Sequence, residues 1–219
     1  MAYILSIETA TKNCSVALSL NGVTVLCKEI AENGYSHAEK LHVFIDEILK
    51  ETQLDFSDLK AIAVSQGPGS YTGLRIGVSA AKGLCYSLNI PLIAIDTLQT
   101  LAMQLTIDSG VVIPMIDARR MECYTAVFDN EHMKVRAIES EIITEDSYVG
   151  ISEVIHLVGD GASKCKTVLT DEKFVFHDDI VYPSAKEIGT VAFEKYQKSD
   201  TVDVAYFEPF YLKDFMLTK

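Results

Sequence analysis

The feature that most constrains this chain is a glycine-rich stretch, Gly67-Pro68-Gly69-Ser70-Tyr71-Thr72-Gly73-Leu74-Arg75-Ile76-Gly77. Residues 61–64 before it form a short apolar run, which predicts a buried strand. Residues 74–88 after it contain no proline and predict a helix. Because anions tend to bind where a strand passes into a helix, Gly67, Gly69 and Ser70 are candidates for a phosphate loop. The alternative is a tight turn that binds nothing.

The helix predicted after this stretch has small residues at every fourth position, namely Gly73, Gly77 and Ala81. Leu74 and Val78 begin a second, bulkier apolar stripe. A glycine inside a helix costs about 1 kcal/mol relative to alanine, so close approach of another backbone is expected to offset the cost. The spacing leaves open whether that backbone belongs to the same domain or to another subunit.

The charge balance limits what the chain binds by itself. It carries 31 acidic and 19 basic residues, a formal net charge of −12. A protein that binds nucleic acid without a partner normally has a basic face. No basic run in this sequence is longer than Arg119-Arg120. If RNA is involved, another chain is expected to supply most of the phosphate contacts. Asp117 with the two arginines either holds an anion or forms an ordinary solvated turn.

The remaining composition indicates a cytoplasmic protein. Hydrophobic residues make up 48% of the chain, and no apolar stretch approaches the ~20 residues of a membrane span. Glu8 interrupts the first apolar run and no basic segment precedes it, which argues against a signal peptide. The five cysteines are scattered and form no C-x-x-C pair, so they are predicted to be free thiols.

The secondary-structure pattern occurs twice along the chain. Residues 4–9, 15–20 and 23–30 predict antiparallel strands, with a hairpin turn at Asn21-Gly22. A capping box, Ser36-His37-Ala38-Glu39, begins a helix that runs to Lys50. The first half therefore reads β-β-β-α-β-α-β-α, and strands resume after residue 110. This predicts an α/β fold of two mixed sheets flanked by helices, divided into domains 1–107 and 108–219, with an aromatic tail that packs back on the first domain.

The second half repeats the strands and then the helices. Strands are predicted at residues 111–116, 122–128, 134–140, 154–158 and 173–176, and a helix at 163–170. A second capping box, Ser184-Ala185-Lys186-Glu187, begins the last helix. Gly159 and Gly161 lie directly after one of these strands.

The duplicated unit is similar to that of the actin, sugar-kinase and Hsp70 ATPase superfamily. Glu8, Thr9 and Thr11 lie where that superfamily has its first phosphate loop, and Gly159 and Gly161 where its members contact adenosine or phosphate. Together with the glycine-rich stretch and the ending Glu208-Pro209-Phe210-Tyr211-Leu212, the chain resembles the bacterial TsaB (YeaZ) family.

The resemblance implies a partner of a catalytic paralogue, TsaD. With the small ATPase TsaE, that assembly transfers a threonylcarbamoyl group to an adenosine next to the tRNA anticodon. The resemblance also implies contact with tRNA only through the complex, a homodimer when alone, and no membrane association. An older name for both paralogues is glycoprotease.

The chain departs from the catalytic paralogue where that protein binds metal. The two histidine ligand positions fall on Thr97 and Leu101, and leucine cannot ligate a metal. His37 and His42 are five residues apart, a spacing that does not converge on one ion. We therefore predict a non-catalytic subunit without a cofactor, whose altered loops bind nucleotide weakly or not at all. The alternative is a stand-alone ATPase or metallopeptidase of the same superfamily.

In the family that the chain resembles, the two helices of the first half pack against their counterparts in the partner. The resemblance therefore places the partner interface on these helices. The predicted interface residues are Leu41, Gly73, Leu74, Gly77, Val78 and Ala81.

Overall fold

The computed structural model of the chain describes residues 1–31 and 37–212. It divides into two compact units. The first comprises Met1–Thr97 together with the chain from Ser184 onwards, and the second comprises Leu98–Pro183. This division differs from the predicted boundary between residues 107 and 108, and the first unit is discontinuous in sequence.

The first unit contains a five-stranded sheet and three long helices. The strands are β1 (Tyr3–Glu8), β2 (Asn13–Leu20), β3 (Val23–Ala31), β4 (Leu59–Gly67) and β5 (Leu92–Asp96). The helices are α1 (His37–Thr52), α2 (Tyr71–Leu88) and α5 (Ala185–Gln197), and a short 3₁₀ turn covers Phe56–Asp58. The strand order is β3-β2-β1-β4-β5, with β1 to β3 antiparallel and β4 and β5 parallel to β1. The predicted hairpin at Asn21-Gly22 joins β2 and β3. Ser36, the predicted cap of α1, lies outside the described residues.

The two faces of this sheet have different side chains because neighbouring strand residues point to opposite sides. Larger residues such as Leu5, Ile7 and Ile62 face α1 and α2. Smaller residues such as Ala61 and Ala63 face α5. These small side chains let α5 pack closely, and α5 contributes both small residues, Ala185 and Ala192, and the larger Ile188 to the contact.

The packing of α5 explains the position of the unit boundary. This helix follows the second sheet in sequence, yet it contacts all five strands of the first sheet. Ser184 caps it by accepting a hydrogen bond from the Lys186 N–H at 3.2 Å, as the Ser-x-x-Glu pattern predicts. The last helix therefore completes the first unit, although the sequence pattern had assigned it to the second.

The second unit repeats the strand topology of the first. Its strands are β6 (Val111–Asp117), β7 (Glu122–Phe128), β8 (Lys134–Ile142), β9 (Ile155–Val158) and β10 (Phe174–Phe176), in the order β10-β9-β6-β7-β8. As in the first sheet, a meander of three antiparallel strands is extended by two parallel strands. The unit also has two short helices, α3 (Thr97–Ala102), which begins at the unit boundary, and α4 (Ala162–Cys165). The predicted fold class, a duplicated actin-like arrangement of two mixed sheets, is confirmed.

The segment after α5 runs along the first unit. Val202 forms an isolated bridge with Leu92 of β5. Lys82 of α2 donates to the carbonyls of Ala205 and Phe207 at 3.1 and 2.9 Å. None of the helices within residues 1–31 and 37–212 combines the length and apolar character that a membrane span requires.

Candidate functional site at the first glycine turn

The acidic residue of the first loop, Glu8, is buried at the end of β1. Its carboxylate accepts a hydrogen bond from the Ala10 N–H at 2.6 Å and another from the Ser65 hydroxyl on β4. Burial raises the pKa of Glu8 from its ordinary 4.5 to about 7, and these hydrogen bonds oppose the shift only in part. Glu8 is therefore an internal group of the first unit, held by the chain's own polar atoms.

The next residue of the loop, Thr9, packs directly against helix α2. Its hydroxyl donates to the Gly73 carbonyl at 2.8 Å. A Cβ added to Gly73 would lie less than 3.0 Å from the Thr9 carbonyl oxygen, and one added to Gly77 would overlap the Thr9 hydroxyl. Both glycines are needed because the β1–β2 turn approaches the helix too closely for any side chain.

The glycine turn itself closes over the same loop. The Ser70 N–H donates to the Ala10 carbonyl at 2.6 Å, and Gly69 approaches Ala10 so closely that a Cβ would overlap it. Ser70 also caps α2 by accepting a hydrogen bond from the Gly73 N–H at 3.2 Å. The carbonyls of Thr9 and Ala10 thus lie against the N-terminal turn of α2, where a phosphate-binding protein would place its ligand.

The start of the glycine turn is covered by the tail. The Phe210 N–H donates to the Gln66 carbonyl at 2.7 Å, and the Phe210 carbonyl oxygen occupies the position that a Gly67 side chain would need. The Gly67 N–H in turn donates to the Thr97 hydroxyl at 3.1 Å. The Gln66 carbonyl and the Gly67 N–H are therefore bonded to groups of the first unit.

These contacts correct the prediction about the partner interface. The six residues predicted to form it are all buried within the first unit: Leu41, Gly73, Leu74, Gly77, Val78 and Ala81. The glycines make room for the β1–β2 turn, and the larger side chains belong to the core between the sheet and the two helices. In the folded chain these residues are not surface.

The outward side of α2 has a second row of small residues that the sequence analysis did not single out. Thr72, Ser79 and Gly83 are exposed, and Ile76 is partly exposed in the same row. A Cβ added to Gly83 would meet nothing within 4 Å. The sequence did contain a signal for this row, because Gly83 lies inside a helix, where glycine costs free energy relative to alanine. In the structure, none of the described residues packs against that position to offset the cost.

The second predicted loop, in the second unit, is also packed by its own backbone. Gly159 has a φ of +107°, and the Gly161 N–H donates to the Met115 carbonyl at 2.9 Å. A Cβ on Gly161 would lie within 3.0 Å of the Cys123 sulfur. Asp160 accepts a hydrogen bond from the Asp117 N–H at 2.9 Å. The loop is thereby held against β6 and β7.

The resemblance in sequence predicted that Thr97 and Leu101 take the positions of the metal ligands of the catalytic paralogue. Thr97 is buried and accepts from the Gly67 N–H, and Leu101 is part of an apolar cluster of the second unit. Elsewhere, His37 Nε2 donates to the Thr11 carbonyl at 2.8 Å, and burial lowers the pKa of this histidine. Within residues 1–31 and 37–212 there is no group of three metal-ligating side chains.

Two cavities of the first unit lie away from the loop residues. One of about 410 Å³ is lined by residues of β1 to β3, including Tyr3 and Val25, and by Glu51, Thr52 and Leu54 at and just after the end of α1. The other, of about 230 Å³, lies between α2 and the tail and is lined by residues such as Arg75, Lys82 and Tyr211. Glu8, Thr9, Gly67 and Gly69 line neither.

Comparison with known proteins gives consistent results. A family model described as TsaD, tRNA N6-adenosine threonylcarbamoyltransferase, matches residues 29–206. The tRNA threonylcarbamoyladenosine biosynthesis protein TsaB of Haemophilus influenzae is 30% identical over 96% of this chain and 93% of its own. A tRNA N6-adenosine threonylcarbamoyltransferase of Halalkalibacterium halodurans is 35% identical over 107 residues, 42% of this chain and 31% of that protein. The structure of YeaZ from Pseudomonas aeruginosa matches with a TM-score of 0.84 at 24% identity, covering 97% of this chain and 100% of that one.

The duplicated sheets define a protein of the actin-like ATPase fold, and its β1–β2 turn packs directly against helix α2. Within that class, similarity to a TsaB protein extends over nearly the whole of both chains. The chain belongs to the TsaB (YeaZ) family, as the sequence motifs predicted.

Proposed function

We propose that this chain is the non-catalytic partner subunit of the TsaD threonylcarbamoyltransferase in tRNA threonylcarbamoyladenosine biosynthesis. The observation that carries the proposal is the end-to-end similarity to a protein named for that pathway. TsaE is the third component of the proposed assembly, which acts in the cytoplasm. This role needs a stable fold and a docking surface, and it needs no reactive group.

The packing of the first loop supports the non-catalytic part of the proposal. A nucleotide at this loop would have to displace the Ser70–Ala10 hydrogen bond and the Thr9–Gly73 hydrogen bond. It would also have to separate backbones that are too close for a Cβ. These contacts favour a partner role over a stand-alone ATPase. Leu101 in an apolar cluster likewise favours it over a metallopeptidase.

The surface that suits docking is the outward row of α2, which we call the outer stripe: Thr72, Ile76, Ser79, Ala80, Gly83 and Ser87. These positions recur at helical spacing and carry no charge. Ala80 is half-buried, and Val43 of the neighbouring α1 has 46% of its surface exposed. A small, uncharged row allows another helix to come close, and Val43 adds exposed apolar area on α1.

The occupant that we propose for the outer stripe is the corresponding helix pair of TsaD. The threonylcarbamoyltransferase of H. halodurans shares 35% identity with this chain over 107 residues, so a partner of that kind offers a related surface. Two related surfaces pack about a local twofold axis, as identical ones do in homodimers. In the absence of TsaD, we propose that the same stripe pairs two copies of this chain.

Gly83→Leu tests the docking surface. The new side chain points into open space in the isolated chain, so folding is retained. In the complex it would separate the two helices, and we expect co-purification with TsaD to fall at least tenfold. Size-exclusion chromatography of the co-expressed pair measures this.

Gly150→Leu is the matched control. Gly150 lies in the second unit and its Cβ would also meet nothing within 4 Å. This variant is expected to bind TsaD as the native chain does. Normal complex formation by Gly83→Leu would remove the outer stripe from the proposal, and absence of any complex with the native chain would remove the partner role itself.

A further inference from the structure

The turn between β6 and β7 has an unusual backbone. Arg119 and Arg120 are consecutive residues with φ of +74° and +51°. The turn is closed by hydrogen bonds from the Ala118 N–H to the Glu122 carbonyl and from the Glu122 N–H to the Arg119 carbonyl, at 3.0 and 3.1 Å. Residues with a Cβ rarely adopt this left-handed conformation, and asparagine and glycine tolerate it best.

The same chain provides an internal comparison. The hairpin between β2 and β3 also has two consecutive residues at positive φ, and there they are Asn21 and Gly22, with φ of +51° and +87°. The first hairpin therefore has the residues that suit such a backbone, and the second has two arginines. Folding alone does not explain that choice, and strained residues of this kind are typical of functional sites.

The two arginine side chains are exposed and unengaged. Within residues 1–31 and 37–212, neither guanidinium takes part in a hydrogen bond, ion pair or ring contact. Asp117, which precedes the arginines in sequence, instead pairs with Lys164 and accepts a hydrogen bond from the Arg119 backbone N–H at 2.8 Å.

The other two carboxylates of this region are also bonded to groups other than the arginines. Glu122 accepts from the Ser140 hydroxyl at 2.7 Å, and Asp160 accepts from the Asp117 N–H. The turn therefore presents two guanidinium groups whose N–H donors are free to bind a ligand.

Planar guanidinium groups match the geometry of phosphate oxygens. We propose that Arg119 and Arg120 bind the phosphodiester backbone of RNA, which adds a direct contact to a subunit otherwise expected to reach tRNA only through its partner. The inference rests on the proposed function, because that function brings tRNA to the complex. A net charge of −12 makes the rest of the surface repel RNA, so the contact is local and covers one or two phosphates. Free nucleotide is the less favoured source of phosphate, because neither of the two cavities described above is lined by Arg119 or Arg120.

The test is the double variant Arg119→Asn/Arg120→Gly, which installs the residues of the first hairpin. Relief of the backbone strain is expected to raise the midpoint of thermal unfolding by about 2–4 °C. Loss of the two cations is expected to weaken binding of an unmodified tRNA roughly tenfold near 0.1 M salt. The slope of log affinity against log salt concentration should fall by about 1 to 2. Fluorescence anisotropy measures the binding, both for the TsaD complex and for the isolated chain.

The control is Lys60→Asn/Lys198→Asn, which removes two exposed positive charges from the first unit, whereas the two arginines lie in the second. It changes net charge equally and is expected to leave the salt slope unchanged. An equal loss of affinity in the control, or unchanged RNA binding in the arginine variant, would overturn the proposal. So would a lower unfolding midpoint, since that would assign the arginines a structural role.

A competition arm separates the two sources of phosphate. Millimolar ATP is expected to displace RNA no better than an equal ionic strength of sodium chloride, and specific displacement by ATP would contradict an RNA site. If no complex with TsaD forms, the proposed function fails, whereas titration of the isolated chain still decides the role of the arginines.

Discussion

At the scale of single residues, Glu8 is an internal group, although the resemblance in sequence predicted a position in a phosphate loop. Its carboxyl is buried, and its acceptor oxygens are used by Ala10 and Ser65. Burial raises the pKa of Glu8 to about 7. The residue is thus partly protonated near neutral pH, which gives the fold a measurable pH dependence.

The sign of that dependence follows from proton linkage. Between pH 4.5 and about 7 the folded state holds a proton on Glu8 that the unfolded chain has released. The contribution of Glu8 to the free energy of unfolding is therefore greatest below pH 4.5. It falls by about 1.4 kcal/mol per pH unit between pH 4.5 and about 7 and is constant at higher pH. Glu8→Gln should remove this loss of roughly 3 kcal/mol and be more stable than the native chain at pH 8. Urea unfolding of both proteins at pH 5 and pH 8 measures it.

The comparison must be made as a difference between the two proteins. His37, whose pKa burial lowers, contributes a rise in stability with pH in both of them. Subtraction cancels that contribution and isolates Glu8. The same pH dependence in the native protein and in Glu8→Gln would show that the buried carboxyl is ionised throughout.

At the scale of elements, α2 has small residues on two sides with opposite roles. Gly73 and Gly77 face inward and admit the β1–β2 turn. Gly83 faces outward, and a Cβ added there would meet no atom of the described residues outside its own helix within 4 Å. Only the outward side is available to a partner, which is why the docking proposal rests on the outer stripe.

The two sides respond differently to a single added methyl group. Gly77→Ala would place a Cβ against the Thr9 hydroxyl and is expected to destabilise the fold by about 1–3 kcal/mol. Gly83→Ala meets open space and should stabilise it by up to about 1 kcal/mol through helix propensity. Chemical denaturation of the two variants measures both effects. Equal effects of the same sign would contradict the assignment of inward and outward sides.

This helix also shows what the sequence could and could not predict. Local signals were sufficient for the Asn21-Gly22 hairpin, the Ser184 cap and the strand before the glycine turn, because each depends on residues close in sequence. The inward side of α2 depends on Thr9, which is 64 residues from Gly73. With two small-residue rows on one helix, periodicity alone could not identify the buried one. Strands were also easier to place than α4, which is only four residues long.

At the scale of the whole molecule, the predicted domain boundary at residue 107 differs from the observed one because local sequence patterns carry no long-range information. The Ser184 capping box predicted a helix correctly, and nothing nearby indicated which sheet that helix covers. Alanines at positions 61 and 63 are the relevant signal, since they leave room on one face of the first sheet. Such a signal can be interpreted only when the partner helix is known.

The discontinuous first unit makes a prediction about fragments. Residues 1–107 alone lack α5 and expose Ile4, Ile93 and Ile95 on one sheet face. This fragment is expected to bind a hydrophobic dye and to unfold without cooperativity. Residues 1–97 joined by a flexible linker to residues 184–212 should fold. Well-dispersed NMR spectra of the fragment 1–107 would contradict this account of the unit boundary.

The central claim, that this chain acts through TsaD and not through a reactive group of its own, is tested most directly by threonylcarbamoyl transfer to tRNA. Nucleoside mass spectrometry would quantify the modified adenosine formed by this chain alone, by TsaD alone and by the two together, each with tRNA, TsaE, ATP and threonylcarbamoyl-AMP as the donor of the transferred group. We predict no product from this chain alone, little from TsaD alone, and full activity from the pair, lost with Gly83→Leu. Product formed by this chain without TsaD, or full activity of TsaD without this chain, would contradict the account.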